Sequence, residues 1–318
     1  MNDQQKAMTF NRPEYIPAVI GVLPAGWLRH GDALRELAER YPGILAPPGE
    51  GDYRDLIKGG LEEGEYRDGW GCLWSNIHEG HSSIVTEHPV PTRADIHRLE
   101  MPTVDMGLPH GFMFLRLTDL RGFEEMMVDF AEEPPELQML IDIVLEYNLQ
   151  QAPKLFACFG DNKPDPLWFG DDLGTQDALP ISPEKWRKYL KPCYSKIYAT
   201  AHDAGFNVFM HSDGSIYEII PDLIECGVDV INPQFRANGI DNLVQTCKGK
   251  VCVALDLDRQ MFPFCTPQEI DDHVREAVEK LASPEGGLWL CGEVDDGVPL
   301  ENIEALCKAM DKYRGYFR

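Results

Sequence analysis

The chain has 318 residues, and its shares of 43% hydrophobic and 26% charged residues are typical of a soluble globular protein with a large core. Its 53 acidic side chains outnumber 29 basic ones and give a net charge of −24, which repels phosphate backbones and excludes nucleic acid as an expected partner. No apolar run approaches the ~20 residues that a membrane-spanning helix needs, and the first residues contain no secretion signal.

Residues 1–110 predict a turn-rich, β-containing elaboration that precedes the regular part of the fold. One helix is predicted over 32–41, because its apolar residues share a face. Over 69–90, short apolar-polar alternations punctuated by glycine predict a β-meander. No linker or charge block follows this region, so we expect a single domain that spans residues 1–318.

From residue 111 onward, helical patterns alternate with short apolar runs that end in polar residues. The predicted elements are, in chain order, a helix over 134–158, strand LWFGDD, a helix opened by Ser182, Pro183 and Glu184, strand NVFMH, helix SIYEIIPDLIECG, strand VDVINPQ, helix DNLVQTCKG, strand VCVALDLD, a helix capped by Thr266, strand GGLWLCGE and a last helix that begins near Pro299. Such strand–helix units require parallel strands with right-handed crossovers.

Two α/β architectures fit these units, an open doubly wound sheet and a closed barrel. No GxGxxG follows any predicted strand, so the dinucleotide fingerprint of the open sheet is absent. Polar residues stand at the carboxyl end of each successive predicted strand, as expected where several strands contribute residues to one site. The sequence therefore favours a (β/α)8 TIM barrel whose regular β/α units occupy residues 111–318.

Two short motifs combine an acid with a metal-ligating side chain at a strand end. His211 and Asp213 are two residues apart, so an extended backbone aims both to one side, as a metal-ligand pair or an acid/base couple. The alternative is that Asp213 caps the next helix and His211 makes a structural hydrogen bond. Cys291 and Glu293 form a similar pair and could complete a zinc site, or else end a buried strand and meet solvent.

Other polar residues follow apolar strands. Asp171 and Asp172 are candidates for catalytic acids or metal ligands, with an ordinary turn as the alternative. Asp256 ends a strongly apolar strand, where an unpaired carboxylate is costly, so we expect it to have a partner. Asn232 and Gln234 offer amides that could orient a substrate.

Three histidines of the N-terminal region, His78, His81 and His88, match no usual ligand spacing, and we interpret them as surface or loop residues. The nine cysteines show no CxxC spacing, which indicates reduced thiols in a cytoplasmic protein. The sequence leaves open whether the protein forms a homodimer.

Longer segments resemble the uroporphyrinogen decarboxylase-like superfamily from about Trp70 to the C-terminus. They are GDDLGTQDALPISPEKWRKYLKP, FMHSDGSIYEIIPDLIECGVDVINPQ, TPQEIDDHV and VPLENIEAL. The resemblance implies a (β/α)8 barrel with its site at the carboxyl ends of the strands. We therefore count Trp70 among the substrate-binding candidates.

This superfamily has two branches. The decarboxylases bind an octacarboxylate tetrapyrrole through an arginine-rich N-terminal segment and need no cofactor, whereas this chain has no paired-arginine run there, and Arg29 and Arg35 are a thin substitute. The other branch holds zinc with an H-x-C-G motif and a second cysteine, and moves methyl groups to or from a corrinoid protein. The resemblance places His211, Asp213 and Cys291 at those ligand positions, with Asp213 replacing a cysteine and Glu293 as a further ligand.

The resemblance thus implies a zinc-dependent methyltransferase that acts on a small methoxylated or methylated molecule, with a corrinoid carried by a separate protein. Asp171, Asp172 and Asp256 are its expected catalytic residues. The alternatives are a cofactor-free decarboxylase, with Asp171 or Asp172 as its essential acid, and a non-catalytic barrel that binds a small ligand.

Overall fold

The computed structural model describes residues 1–49, 51–103 and 107–318. Its α-helices are α1 (Asp3–Met8), α2 (Pro24–Arg40), α3 (Arg93–Ile96), α4 (Phe114–Arg121), α5 (Phe123–Glu132), α6 (Pro135–Cys158), α7 (Pro183–Tyr189), α8 (Lys191–Asp203), α9 (Ile220–Glu225), α10 (Phe235–Asn238), α11 (Ile240–Cys247), α12 (Pro267–Leu281) and α13 (Leu300–Tyr313). Its strands are β1 (Ala18–Val22), β2 (Gly64–Arg67), β3 (Leu73–Asn76), β4 (Ile84–Glu87), β5 (Leu167–Gly170), β6 (Val208–Ser212), β7 (Val230–Pro233), β8 (Cys252–Asp256) and β9 (Leu288–Val294).

The described residues divide into two compact units. The first unit comprises Met1–Gly64, Asn76–Ser83 and Pro233–Arg318, and the second comprises Glu65–Ser75 and Ile84–Asn232. The prediction that residues 1–318 form a single domain stays a prediction.

The predicted α/β class is confirmed, but the described residues contain six parallel strands where the closed barrel required eight. The strand order is β1-β9-β8-β7-β6-β5. In the first unit, β9 pairs in parallel with both β1 and β8, and in the second unit β5 pairs in parallel with β6.

Two isolated parallel bridges account for the difference from eight strands. In the first unit Leu45 bridges to Ile20 beside β1, and in the second unit His110 bridges to Gly170 beside β5. Prolines surround both bridging residues, at positions 42, 47, 48, 102 and 109. Because proline has no N–H to donate to a ladder, the described residues next to each bridge do not extend it into a strand.

The N-terminal elaboration contains the predicted meander. Strands β2, β3 and β4 form a separate sheet in that order, and β3 pairs antiparallel with β4. The sequence did not predict β1, whose five residues lie between two prolines. Among the described residues, no helix is long and apolar enough to span a bilayer.

Helix boundaries follow the capping signals, with two corrections from proline. Ser182 caps α7 and Thr266 forms a capping box with Glu269 at α12, as predicted. The single helix predicted to open at Ser182 is two helices, α7 and α8, because Pro192 occupies the first turn of α8. In the segment predicted as helix SIYEIIPDLIECG, helix α9 is shorter and begins at Ile220, with Pro221 in its first turn.

Candidate active site

The second unit brings together the residues that follow β5 and β6. In the parallel register of these strands, Gly170 lies opposite His211. Asp171 and Asp172 leave β5 at this point, and Asp213 leaves β6. The carboxyl ends of neighbouring parallel strands meet at one edge, which explains why these polar side chains converge.

Asp171 holds the first turn of α4 in place. Its carboxylate accepts the backbone N–H groups of Met113, Phe114 and Leu115 at 3.1, 2.6 and 2.8 Å. The hydroxyl of Tyr194 donates to Oδ2 of the same carboxylate at 2.5 Å. Asp171 has no exposed surface. Burial raises its pKa, and this effect exceeds that of the hydrogen bonds, which lower the pKa. Four donors and full burial favour a positioning role over direct contact with substrate.

Asp172 is the acid at the centre of the site. Its Oδ1 accepts the backbone N–H of Asp213 at 3.0 Å and lies 3.7 Å from Nε2 of His110 and 3.9 Å from Nε2 of His211. Burial favours a higher pKa for Asp172, but the His110 imidazole, the Asp213 N–H and the His211 charge outweigh burial and hold the pKa below its usual value. Asp172 is therefore a carboxylate at neutral pH.

His211 is oriented by an amide on one side and faces acids on the other. Nδ1 of His211 lies 2.7 Å from Oδ1 of Asn232, and Nε2 lies 3.4 Å from Oδ1 of Asp213. An Nδ1–H that donates to Asn232 leaves the Nε2 lone pair facing Asp172 and Asp213. Burial works against protonation, yet hydrogen bonds to Asp213 and Asn232 and the nearby negative charges raise the pKa of His211.

Two glycines interlock the loops that follow β5 and β6. A Cβ on Gly214 would lie 2.2 Å from the carbonyl carbon and oxygen of Gly174, and Gly214 has a φ of +80°. The backbone N–H of Ser215 donates to the carbonyl of Thr175 at 2.7 Å. The glycines of GDDLG and HSDG therefore permit the close approach that sets Asp213 beside Asp172.

An exposed indole and two imidazoles surround the acid. The Trp168 ring stacks on His110 and His211, with ring centroids 5.9 and 6.0 Å apart. Trp168 is 40% exposed although its neighbours Leu167 and Phe169 are buried. Its ring lies over Gly170, where a Cβ would meet Trp168 and His110 at 2.7 and 2.6 Å. Gly170 thus makes room for both rings.

His110, Asp172 and His211 can hold a metal ion. One ligand atom from each lies within 4.8 Å of the others. The Asp172 carboxylate raises the pKa of His110 above its usual value. His110 is not predicted from the sequence, because it lies in a loop flanked by Pro109 and Gly111 with no periodic pattern. A proline and a glycine at these positions indicate a turn, but they do not indicate a catalytic or metal-binding residue.

Other predicted residues belong to the first unit. Cys291 lies opposite Asp256 in the β8–β9 register, and burial, reinforced by the Asp256 charge, raises the pKa of its thiol to about 12. Glu293 forms an ion pair with Arg259, and Gln234 is buried and bridges to Asp256. Among the described residues, Cys291 and Glu293 belong to no group of three ligands within 4.8 Å. Their predicted zinc ligation stays a prediction.

Trp70, in the second unit, is only 5% exposed and packs edge-on against Tyr147 at 4.8 Å. Its predicted contact with substrate stays a prediction. Of the predicted site residues, the structure therefore brings Asp172, His211, Asp213 and Asn232 together, and the adjacent Asp171 anchors the first turn of α4.

Comparison with solved structures shows the fold. A methyltransferase from Methanosarcina mazei has a TM-score of 0.64 and 16% sequence identity, and the match covers 98% of this chain and 98% of that chain. A B12-independent methionine synthase from Shewanella sp. W3-18-1 in complex with selenomethionine has a TM-score of 0.37 and 14% identity, over 56% of this chain and 54% of that chain. The Xanthomonas albilineans dihydropteroate synthase with 4-aminobenzoic acid has a TM-score of 0.29 and 14% identity, over 44% and 52%. The last two scores are too low to carry an argument.

The sequence matches the family model described as uroporphyrinogen decarboxylase over residues 116–313, and no curated protein matches it significantly. The matched segment contains the anchor Asp171 and the polar residues Asp172, His211, Asp213 and Asn232. It spans more than half of the chain, so the predicted resemblance is confirmed, and the chain belongs to the uroporphyrinogen decarboxylase (URO-D) family.

Proposed function

We propose that this protein is a metal-dependent methyltransferase that moves a methyl group between a small methoxylated or methylated substrate and a corrinoid carried by a separate protein. The observation that carries the proposal is the group formed by His110, Asp172 and His211 at the ends of β5 and β6. The fold shared with a methyltransferase is consistent with it but adds no evidence about chemistry.

The donor chemistry fits zinc. Two imidazole nitrogens and a carboxylate oxygen are ligands that Zn²⁺ accepts, and three protein ligands leave a position open. Asp213 lies beside the group, 3.4 Å from the His211 Nε2, and can act as a further ligand. We propose the metal here rather than at Cys291, because among the described residues Cys291 belongs to no group of three ligand atoms within 4.8 Å of one another. Bound zinc would supply a Lewis acid that polarises an ether oxygen or lowers the pKa of a bound thiol or hydroxyl.

The remaining side chains orient and enclose the reacting groups. Asn232 fixes the His211 ring, and Asp171 fixes the first turn of α4 against the strand end. The exposed Trp168 face offers an apolar surface that positions a methyl-bearing group and excludes water. A corrinoid presented by the partner protein would supply the electron pair for the new bond to the methyl group, and the substrate oxygen that loses the methyl group would take up a proton.

Metal analysis of the purified protein tests the site. We expect about one zinc ion bound at this group, and at least tenfold weaker binding in His211→Ala, because a ligand is lost. His202→Ala is the matched control, since His202 forms an imidazole–carboxylate pair with Asp229 at 2.9 Å in the same unit. A zinc stoichiometry in His211→Ala that equals the stoichiometry in His202→Ala and in the wild type contradicts the site.

An anaerobic assay with free cob(I)alamin tests the reaction. With a methoxylated substrate present, we expect the absorbance of methylcob(III)alamin to appear with the wild type and to be lost with His211→Ala. No methylcobalamin across a panel of methyl ethers, methylamines and methyl thioethers argues against methyl transfer.

The second candidate is decarboxylation of a porphyrinogen, which the family match favours. In the first unit, however, Arg35 is engaged within the protein, donating from Nε to the Tyr53 hydroxyl at 3.1 Å. Anaerobic incubation with uroporphyrinogen separates the two candidates, because a decarboxylase removes its carboxylates stepwise. A protein that binds no metal and is inactive in both assays would instead be a small-ligand-binding barrel.

A further inference from the structure

The first unit contains a second group of metal-ligating side chains, which the proposed function does not use. His81 lies in the turn between β3 and β4, and Asp295 and Asp296 follow β9 directly. One ligand atom from each residue lies within 4.8 Å of those of the other two. We propose that His81, Asp295 and Asp296 bind a second divalent transition-metal ion.

The backbone around these ligands is closely packed. Gly80, immediately before His81, has a φ of +87°, and a Cβ there would lie 3.2 Å from the backbone nitrogen of Ala25. A Cβ on Gly26 would lie 3.5 Å from the carbonyl carbon of Asp295. Both ligand-bearing segments therefore pack against the first turn of α2, which fixes their distance before any ion binds.

Hydrogen bonds hold the turn that carries the imidazole. The Asn76 side-chain amide donates to the His81 carbonyl at 2.7 Å and to the Gly60 carbonyl at 3.3 Å, while its oxygen accepts the His78 N–H at 2.9 Å. Asn76 is 5% exposed, so this anchor is buried. A ligand on an anchored turn loses little conformational entropy when it coordinates an ion.

The donor set selects the class of cation. An imidazole beside two carboxylates suits zinc, cobalt, nickel or manganese, whereas calcium and magnesium prefer all-oxygen sites. All three residues are half-buried, so the ion keeps water in its remaining positions. Coordination would tie the turn of residues 77–82 to the loop that follows β9.

The experiment separates this site from the one at His110 and His211. In a double variant, His110→Ala with His211→Ala, we expect one equivalent of Zn²⁺ or Co²⁺ to remain bound by metal analysis and titration. When His81→Ala is added to the double variant, metal analysis should no longer find that equivalent, and titration should show metal binding at least tenfold weaker. His78→Ala is the matched control, because it removes an imidazole from the same turn and leaves the three ligands intact.

A conservative variant and a hydrogen-exchange measurement distinguish the loss of a metal ligand from a loss of folding. Asp296→Asn preserves side-chain volume and should weaken binding about as much as His81→Ala, with an unchanged circular dichroism spectrum. Hydrogen exchange of residues 77–82 should slow when metal is added to the double variant. Loss of all metal in the double variant, or unchanged binding after His81→Ala, overturns the proposal. A wild type whose single ion is lost only with His81→Ala upholds it and overturns the metal site of the proposed function.

Discussion

Acidic residues near strand ends form ion pairs in both units, but the basic partners differ. In the first unit, Asp258, which follows β8, pairs with Arg236 at 2.6 Å, and Glu293, near the end of β9, pairs with Arg259. After β5, in the second unit, the ion-pair partners of Asp172 are the imidazoles of His110 and His211.

The difference teaches that the identity of the base, more than the presence of an acid, separates a chemical site from a structural ion pair. Arginine stays charged at every accessible pH and cannot ligate a metal. Imidazole can exchange its proton for a metal ion near neutral pH. The pattern of polar residues after apolar strands, common to both units, therefore locates strand ends without distinguishing their roles.

Gly214→Ala should have the largest effect, because the second unit depends on the close contact of Gly214 with Gly174. The new Cβ would lie 2.2 Å from backbone atoms at a φ of +80°. Backbone cannot yield as a flexible side chain can, so we expect a loss of unfolding free energy of at least about 4 kcal/mol, or failure to fold. Urea denaturation followed by circular dichroism measures the loss.

Gly160→Ala, in the same unit, controls for backbone conformation. Gly160 has a φ of +51°, but a Cβ there would meet none of the described residues within 4 Å, so this substitution should cost only about 1 kcal/mol. Equal losses in the two variants would show that the interlock of the two loops does not determine the stability of the site.

The pKa of a buried imidazole in the first unit, that of His273, is shifted in the opposite direction from the pKa values of the imidazoles in the second unit. His273 is 8% exposed, and its Nε2 accepts the backbone N–H of Asp258 at 3.0 Å. Burial, opposed by the charge of Asp258 and assisted by the charge of Arg236, lowers the pKa of His273 to about 4. His110 and His211, beside carboxylates, have raised pKa values.

The sign of the pH dependence follows from this lowered pKa. Below pH ~6.5 the unfolded imidazole binds a proton that the folded one does not, so stability falls as the pH drops from about 6.5 to about 4. The loss amounts to about 3 kcal/mol at most. Urea denaturation at several pH values should show a shallower dependence of unfolding free energy on pH for His273→Gln than for the wild type. Parallel curves for wild type and His273→Gln would refute the lowered pKa.

Adjacent acids of the second unit should separate stability from metal binding. Asp171→Asn leaves at least one buried N–H donor of the α4 turn unpaired, which should cost about 2 kcal/mol of unfolding free energy. Asp172→Asn should cost less than about 1 kcal/mol but weaken zinc binding at least tenfold. Denaturation and metal titration on both variants test this, and a reversed outcome would assign the roles the other way round.

The sequence predicted those parts of the fold that short-range patterns encode. Ser182 and Thr266 located helix starts, and the spacing of His211 and Asp213 correctly placed both at one strand end. His110 could not be predicted, because a single bridge to Gly170 brings it to the site across about sixty residues of chain. His81 likewise lies near Asp295 because both segments pack on α2, and no local sequence pattern predicts that packing.

Arg236→Gln should have the smallest effect and tests the first unit's side of the comparison. The Arg236 side chain is 54% exposed, so losing its ion pair with Asp258 should cost less than about 1 kcal/mol of unfolding free energy. Removing this cation should also raise the pKa of His273, because Arg236 lowers it while Asp258 raises it. An NMR titration of the His273 ring measures the shift. A rise would show that the arginine adds to the effect of burial in keeping this imidazole neutral, whereas an unchanged pKa would assign the effect to burial alone.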